Sequence, residues 1–213
     1  MDKFKRYGIF LIGLFINALG VSFVTKAALG TSPISSIPYT LSLGFEPTLG
    51  QFTIVFSLLL IILQILLLRR RFDKIQLLQI PVSFLFGYFI DFTMFLLYFI
   101  QPHHYAAKFL SLLIGCIILG FGVYTEVLAN VVMLPGEGFV NSVCIAFHTD
   151  FGITKVCFDA GMTICAGLIS LLLFSSINGV GIGTIIAALI VGLIARFFAK
   201  KLAFLQPILF PIS

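Results

Sequence analysis

The sequence predicts an all-α fold: a polytopic membrane helix bundle with six spans plus two short re-entrant helices, arranged as an inverted-topology (3+3) repeat. Three observations predict it. First, the 213-residue chain is 60% hydrophobic and only 10% charged, with a mean hydropathy of +1.17, whereas soluble domains carry about 25% charged residues. Second, the apolar residues gather in runs long enough to cross a bilayer, which takes about 17 to 25 residues. Third, glycines and prolines of the first half recur in order in the second.

The long runs lie at 7–24, 50–68, 77–100, 108–127, 152–174 and 180–199. Two shorter apolar pieces, 33–43 and 135–147, follow the first and fourth spans. Pieces of that length fit re-entrant elements better than spans. Each begins at a proline, which is tolerated at the first helical position because its missing N–H has no intrahelical partner there. The basic start and following apolar run also fit a cleaved signal peptide, with Ala18-Leu19-Gly20 as the cleavage-like triplet. Against that reading, the run is long enough to span, and the second half repeats it.

An offset of 102 residues carries Gly13 onto Gly115, Gly20 onto Gly122, Val21 onto Val123 and Ala27 onto Ala129. It also carries Pro33 onto Pro135, Gly50 onto Gly152 and Phe56 onto Phe158; an offset of 105 carries Gly87 onto Gly192 and Phe92 onto Phe197. Glycine and proline set backbone geometry, so their coincidence outweighs sparse identity elsewhere. Residues 1–106 and 107–213 thus read as two copies of span, re-entrant helix, span, span. They form one membrane domain with no soluble domain.

The net charge of +5, from 13 Lys and Arg against 8 Asp and Glu, does not indicate nucleic acid. The basic residues punctuate the apolar runs at Lys3, Lys5, Arg6, then Arg69, Arg70, Arg71, Lys74, then Arg196, Lys200, Lys201. That is the pattern of topology determinants in a multi-pass protein of the cell membrane, and it places both termini in the cytoplasm. Only Lys26 and Lys108 then fall outside. The 33–43 element enters from the outer face and the 135–147 element from the cytoplasm, so the copies are inverted, as in many transporters. If the short elements crossed, the copies would be parallel, and the N-terminus and Arg69–Arg71 could not share a side.

Non-helical backbone at membrane depth is tolerated only where it is buried in protein or lines an aqueous cavity. Two short helices whose proline-bearing starts are their deep ends would aim free N–H groups at such a cavity and favour an anionic or polar ligand. The candidate substrate-binding residues follow from this: Ser32, Pro33, Ser35 and Ser36 at the first start, and Pro135, Gly136, Glu137, Gly138 and Asn141 at the second. The competing reading is a tight buried Pro-Gly turn with Ser32 as a helix cap.

Glu137 is the most informative of these, because a bare carboxylate in a membrane costs several kcal/mol unless paired. It reads as protonated, as a cation or amine ligand, as a proton relay, or as an exposed carboxylate at a loop. Glu126 and Asn130 lie one turn apart and share a face, either on the cavity or at the water interface. Asp91, well inside the third span, is a further candidate for the cavity. Lys155 and Asp159 have the spacing of an ordinary helix ion pair, and Arg196 that of a snorkelling interface cation.

Little else carries chemistry. Cys116, Cys144, Cys157 and Cys165 lack metal-ligand or CxxC spacing and read as small buried hydrophobes. His103, His104 and His148 read as loop residues, so no metal and no cofactor are expected. Gly179-Val180-Gly181-Ile182-Gly183 lacks the strand that a dinucleotide fingerprint requires and reads as close helix packing. No nucleophile–base constellation is present, so an enzyme is not expected.

The stretch Ala27-Ala28-Leu29-Gly30-Thr31-Ser32-Pro33-Ile34-Ser35-Ser36-Ile37-Pro38-Tyr39, with Leu134-Pro135-Gly136-Glu137-Gly138-Phe139, resembles the YczE/YyaS/YitT family of bacterial integral membrane proteins. The resemblance covers essentially the whole chain and implies a multi-pass plasma-membrane protein, with no particular chemistry. YitT-like members commonly add a soluble C-terminal domain. This sequence ends at Pro211-Ile212-Ser213 without one, which places it nearer the YczE type. The functional expectation is a secondary transporter or facilitator for a small polar or ionic substrate, embedded in the lipid bilayer, with a homo-oligomer left open. The alternatives are a substrate-binding subunit of a larger uptake complex and a non-transporting accessory factor.

Overall fold

Inside hydrocarbon a chain must satisfy its own backbone hydrogen bonds, so each apolar run folds into one helix. The computed structural model describes residues 2–209; Pro211-Ile212-Ser213 and the side chain of Lys3 lie outside that description. The helices are α1 (Asp2–Lys26), α2 (Pro33–Gly44), α3 (Leu49–Leu68), α4 (Gln79–Leu96), α5 (Tyr105–Ala129), α6 (Pro135–Phe147), α7 (Phe151–Phe174), α8 (Ile182–Lys201) and the short α9 (Leu205–Leu209). Among the described residues, six helices are long and apolar enough to cross a membrane. The 12-residue α2 and 13-residue α6 are not. Large apolar side chains such as Leu172 (86% exposed), Phe95 and Val127 coat the outside, as expected where the solvent is lipid.

The centre of the bundle is an antiparallel pair. Gly13 lies against Glu126, Asn17 against Gly122, Gly20 against Leu119 and Val24 against Gly115, so numbering rises along α1 as it falls along α5. Small residues let membrane helices approach at backbone distance. A Cβ on Gly20 would stand 2.5 Å from the Leu119 Cα, and one on Gly122 2.6 Å from the Asn17 amide nitrogen. α4 packs beside α1, and α8 beside α5.

The short helices cross over. α2 packs chiefly on α7 and α6 chiefly on α3. Hydrogen bonds hold both contacts: Ser36 Oγ donates to the Met162 carbonyl (3.3 Å) and Gln64 Nε2 to the Pro135 carbonyl (3.2 Å). This reciprocal pairing is the one that the inverted repeat expected from the sequence would produce. The chain reaches Pro33 through a left-handed turn, with φ +52° at Ala28 and +112° at Gly30. The turn is pinned to α8 by Gly183 N–H donating to the Leu29 carbonyl (2.8 Å).

Candidate functional site

The starts of α2 and α6 meet: Gly136 sits against the tip of the Ile34 side chain, which would have to turn aside for a Cβ. Around this junction lies a cavity of about 410 Å³, lined by parts of all eight long and short helices from α1 to α8. A cavity of that size suits a small molecule. Its wall includes Ser32, Pro33, Ile34, Ser35 and Pro38 from the first start, and Leu134, Pro135, Gly136 and Glu137 from the second. Pro38 has no N–H to give the Ile34 carbonyl, which leaves an acceptor without its usual helical partner beside the cavity.

The charged wall residues are Glu137, the Lys155–Asp159 ion pair (2.7 Å) and Arg196. Glu137 Oε2 is buried and takes no hydrogen bond. Behind it, Asn17 Nδ2 donates to Glu126 Oε1 (3.0 Å); Asn17 reaches the cavity, while Glu126 is 8% exposed. Among the described residues, no cluster of three His, Cys, Asp or Glu is placed to hold a metal ion.

Other sequence candidates stand elsewhere. Asp91 does not line the cavity: its carboxylate accepts from Thr48 Oγ1 (2.6 Å) and Gly50 N–H (2.8 Å), clamping the start of α3 to α4. The Gly50 N–H is one of the free backbone groups of a helix N-terminus, which attract a carboxylate, and Thr48 is the residue capping that end. Asn130 is exposed and closes α5 in a left-handed conformation, φ +48°, a role its short polar side chain suits. Ser36 serves the α2–α7 contact, and Gly138 packs on Gln79 and Gln64. Asn141 is half-buried on α6, away from the wall.

The cavity is asymmetric. On one side α3 and α4 close it: Gly50 and Gly87 are in backbone contact, and a Cβ on Gly87 would stand 2.7 Å from the Gly50 carbonyl oxygen. Their repeat counterparts, Gly152 on α7 and Gly192 on α8, do not meet. A Cβ on Gly192 would have nothing within 4 Å, and one on Gly152 only Asp150 Oδ1 at 3.1 Å. The wall continues through this gap from Phe151 and Lys155 to Leu193 and Arg196, at the end of the molecule that carries Arg69–Arg71. A second cavity at the other end is lined by Tyr39, Thr48, Leu49, Met94 and His103 among others. Between the two lies the apolar cluster of Leu14, Ala18, Val21, Leu49, Phe86, Ile90 and Leu119.

Residues 4–200 match the family described as DUF6198, a family of unknown function. The chain belongs to the DUF6198 family. Its relatives include "Uncharacterized membrane protein YczE" of Bacillus subtilis (strain 168), 31% identical over 196 residues that cover 90% of this chain and 84% of that one. "Uncharacterized protein YyaS" of the same organism is 24% identical over 197 residues, covering 92% of each chain. No solved structure matches. Kinship with YczE and YyaS is therefore established, while kinship with YitT rests on the sequence resemblance alone.

For this DUF6198 protein, sequence reasoning passed over Asn17, Gln64 and Gln79, and set Lys155, Asp159 and Arg196 aside as interface residues. Gln64 and Gln79 are buried and bonded to each other (3.0 Å) under the start of α6. Asn17 and Gln64 are strongly polar residues in otherwise apolar runs, and that rarity was the available signal. Arg196 gave none, because spacing does not distinguish a cation at a cavity mouth from one at a lipid interface.

Proposed function

We propose that this DUF6198 protein is a carrier for a small polar or ionic solute, working by alternating exposure of the cavity, and not an enzyme. The observation that carries the reading is the unequal state of two matching glycine pairs: Gly50–Gly87 shut, Gly152–Gly192 apart. Two inverted copies of one motif can exchange conformations, since each shape is already accessible to that motif. The exchanged state parts α3 from α4 and brings α7 onto α8. Flexible residues for that seam are in place, because Gly152 and Gly192 carry no side chains to obstruct it. The solute site is the junction of Ser32, Ser35 and Glu137. By the count of Lys and Arg in short loops, the open gap faces the cytoplasm of a bacterial cell membrane, and both termini lie on that side.

The test uses protein whose four native cysteines are replaced by alanine, reconstituted in liposomes. Gly152→Cys and Gly192→Cys are introduced as a pair, with Thr53→Cys in the cavity wall as reporter. Before oxidation, an impermeant maleimide reaches Thr53→Cys from the Arg69–Arg71 side alone. After oxidation the pair is joined, and the reagent reaches Thr53→Cys from the opposite side. A pair that never joins, or joins without changing the side of access, would overturn the carrier reading in favour of a fixed pocket.

A further inference from the structure

We infer that the cavity binds a small amphiphilic amine, with its ammonium group on the Glu137 carboxylate and its apolar body among the surrounding helices. Three observations carry it. The first is the acid itself. Glu137 is half-buried on the cavity wall, and its Oε2 is buried without a hydrogen-bond partner. A carboxylate withdrawn from water is costly until a cation or donor meets it, because burial removes its hydration. The wall does not supply that cation: Lys155 holds Asp159 at 2.7 Å, and Arg196 is exposed. Nor does the helix end call for a foreign anion, since Glu137 already places a negative charge in the first turn of α6. Under the 102-residue offset its counterpart is Ser35, small and neutral and also on the wall. The shared scaffold therefore does not require a carboxylate at this position.

The second observation is what surrounds the acid. Val21, Leu60, Phe86, Leu119 and Val123 all line the cavity, and such a lining favours an apolar body. The third is that the cavity opens sideways. Val156, Leu189 and Leu193 line it too, yet each is well exposed on the outside of the bundle. Leu189 lies near the middle of α8, which spans Ile182–Lys201, and so at membrane depth. The gap between α7 and α8 thus borders hydrocarbon, the phase in which an amphiphile concentrates. An acid in an apolar cavity open to lipid fits a molecule that is charged at one end only.

That the amine is carried across the membrane rests on the carrier reading; its binding does not. Occupancy is read by alkylation of Thr53→Cys with N-ethylmaleimide, in detergent-solubilised protein otherwise free of cysteine. Hexylamine and phenethylamine should slow the alkylation saturably. Hexanol, 2-phenylethanol, hexanoate and phenylacetate share those bodies without the positive charge, and should not slow it at the same concentrations. Thermal unfolding of the wild type gives a second readout: the amines should raise the melting temperature, as ligands of the folded state do, and the others should not. Glu137→Gln should weaken the protection by about tenfold or more, the worth of one bond to a charged group, while unfolding without ligand as the parent does. Alcohols that protect as well as amines would make the cavity a plain apolar seat for lipid, and carboxylates that protect better would make it an anion site. Either result overturns the proposal, as does the absence of any amine effect in both readouts or full protection in Glu137→Gln. If Glu137→Gln does not fold, the preference for amine over alcohol in the parent decides alone. Failure of the Gly152→Cys and Gly192→Cys pair to join refutes the carrier reading and leaves this protection intact. Amines that never protect refute the binding site and leave the change of access standing.

Discussion

At Gly30 the backbone takes φ +112°, and the place of a Cβ is filled by the Thr184 hydroxyl and, at 2.8 Å, by the Gly181 nitrogen. Gly167 is the opposite case, a helical glycine on α7 with nothing within 4 Å. Gly30→Ala combines left-handed strain with a backbone clash and should cost about 2–4 kcal/mol. Gly167→Ala should instead stabilise by about 0.5–1 kcal/mol, the helical preference of alanine over glycine. Thermal unfolding in detergent measures both, and equal effects would mean that the turn is not packed on α8. This residue scale was legible in part. The starts at Pro33 and Pro135 point to a cavity between them, and a cavity lies there. Asp91 misled because a carboxylate deep in an apolar run looks like a ligand group, and only the fold shows that the α3 N-terminus takes it up. Asn17 was missed because its meaning depends on Glu126, 109 residues away.

At the scale of elements, α6 is held by a buried amide pair. Gln64 Nε2 donates to Gln79 Oε1 (3.0 Å) and to the Pro135 carbonyl (3.2 Å), and Gln79 Nε2 in turn donates to Gln76 Oε1 (2.7 Å). Replacing one amide takes a hydrogen-bond partner from the other in an apolar place, so Gln64→Leu or Gln79→Leu alone should cost about 1–3 kcal/mol. The double variant should cost clearly less than the sum, because neither polar group then remains unpaired. Additive losses in the same unfolding assay would show that the amides act separately on α6. The elements themselves were readily legible, for a hydrocarbon solvent leaves helices as nearly the sole option. Their ends were less so. The run over 77–100 yields a helix of Gln79–Leu96 only, preceded by a 3-10 turn at Lys74–Leu78. Hydropathy continues past both ends of the helix while the helical backbone does not, and Pro102 disfavours any continuation of α4 towards α5. Which long helix each short one chooses was not legible at all, since α2 on α7 and α6 on α3 are contacts between the halves.

For the whole molecule, the carrier reading makes the two glycine seams opposites under the same kind of substitution. A Cβ on Gly87 would stand 2.7 Å from the Gly50 carbonyl and would also press on Ile54. Gly87→Ala should therefore destabilise by about 1–3 kcal/mol, and do so by prising α3 from α4. In the liposome assay it should make Thr53→Cys reachable from both sides. Gly192→Trp adds far more bulk, yet into a gap where nothing lies within 4 Å. Its stability should stay within about 0.5 kcal/mol of the parent, as for a change at an uncrowded surface. The tryptophan nonetheless occupies the space α7 must enter to meet α8. Thr53→Cys should then stay reachable from the Arg69–Arg71 side alone, even with Gly152→Cys available and any solute supplied, and solute movement should stop. The decisive comparison is between stability and access, because a wedge that merely damaged the fold would lower both. If Gly192→Trp leaves the protein as stable as the parent and still lets the reagent reach the reporter from the far side, closure of α7 on α8 is not how the cavity changes sides.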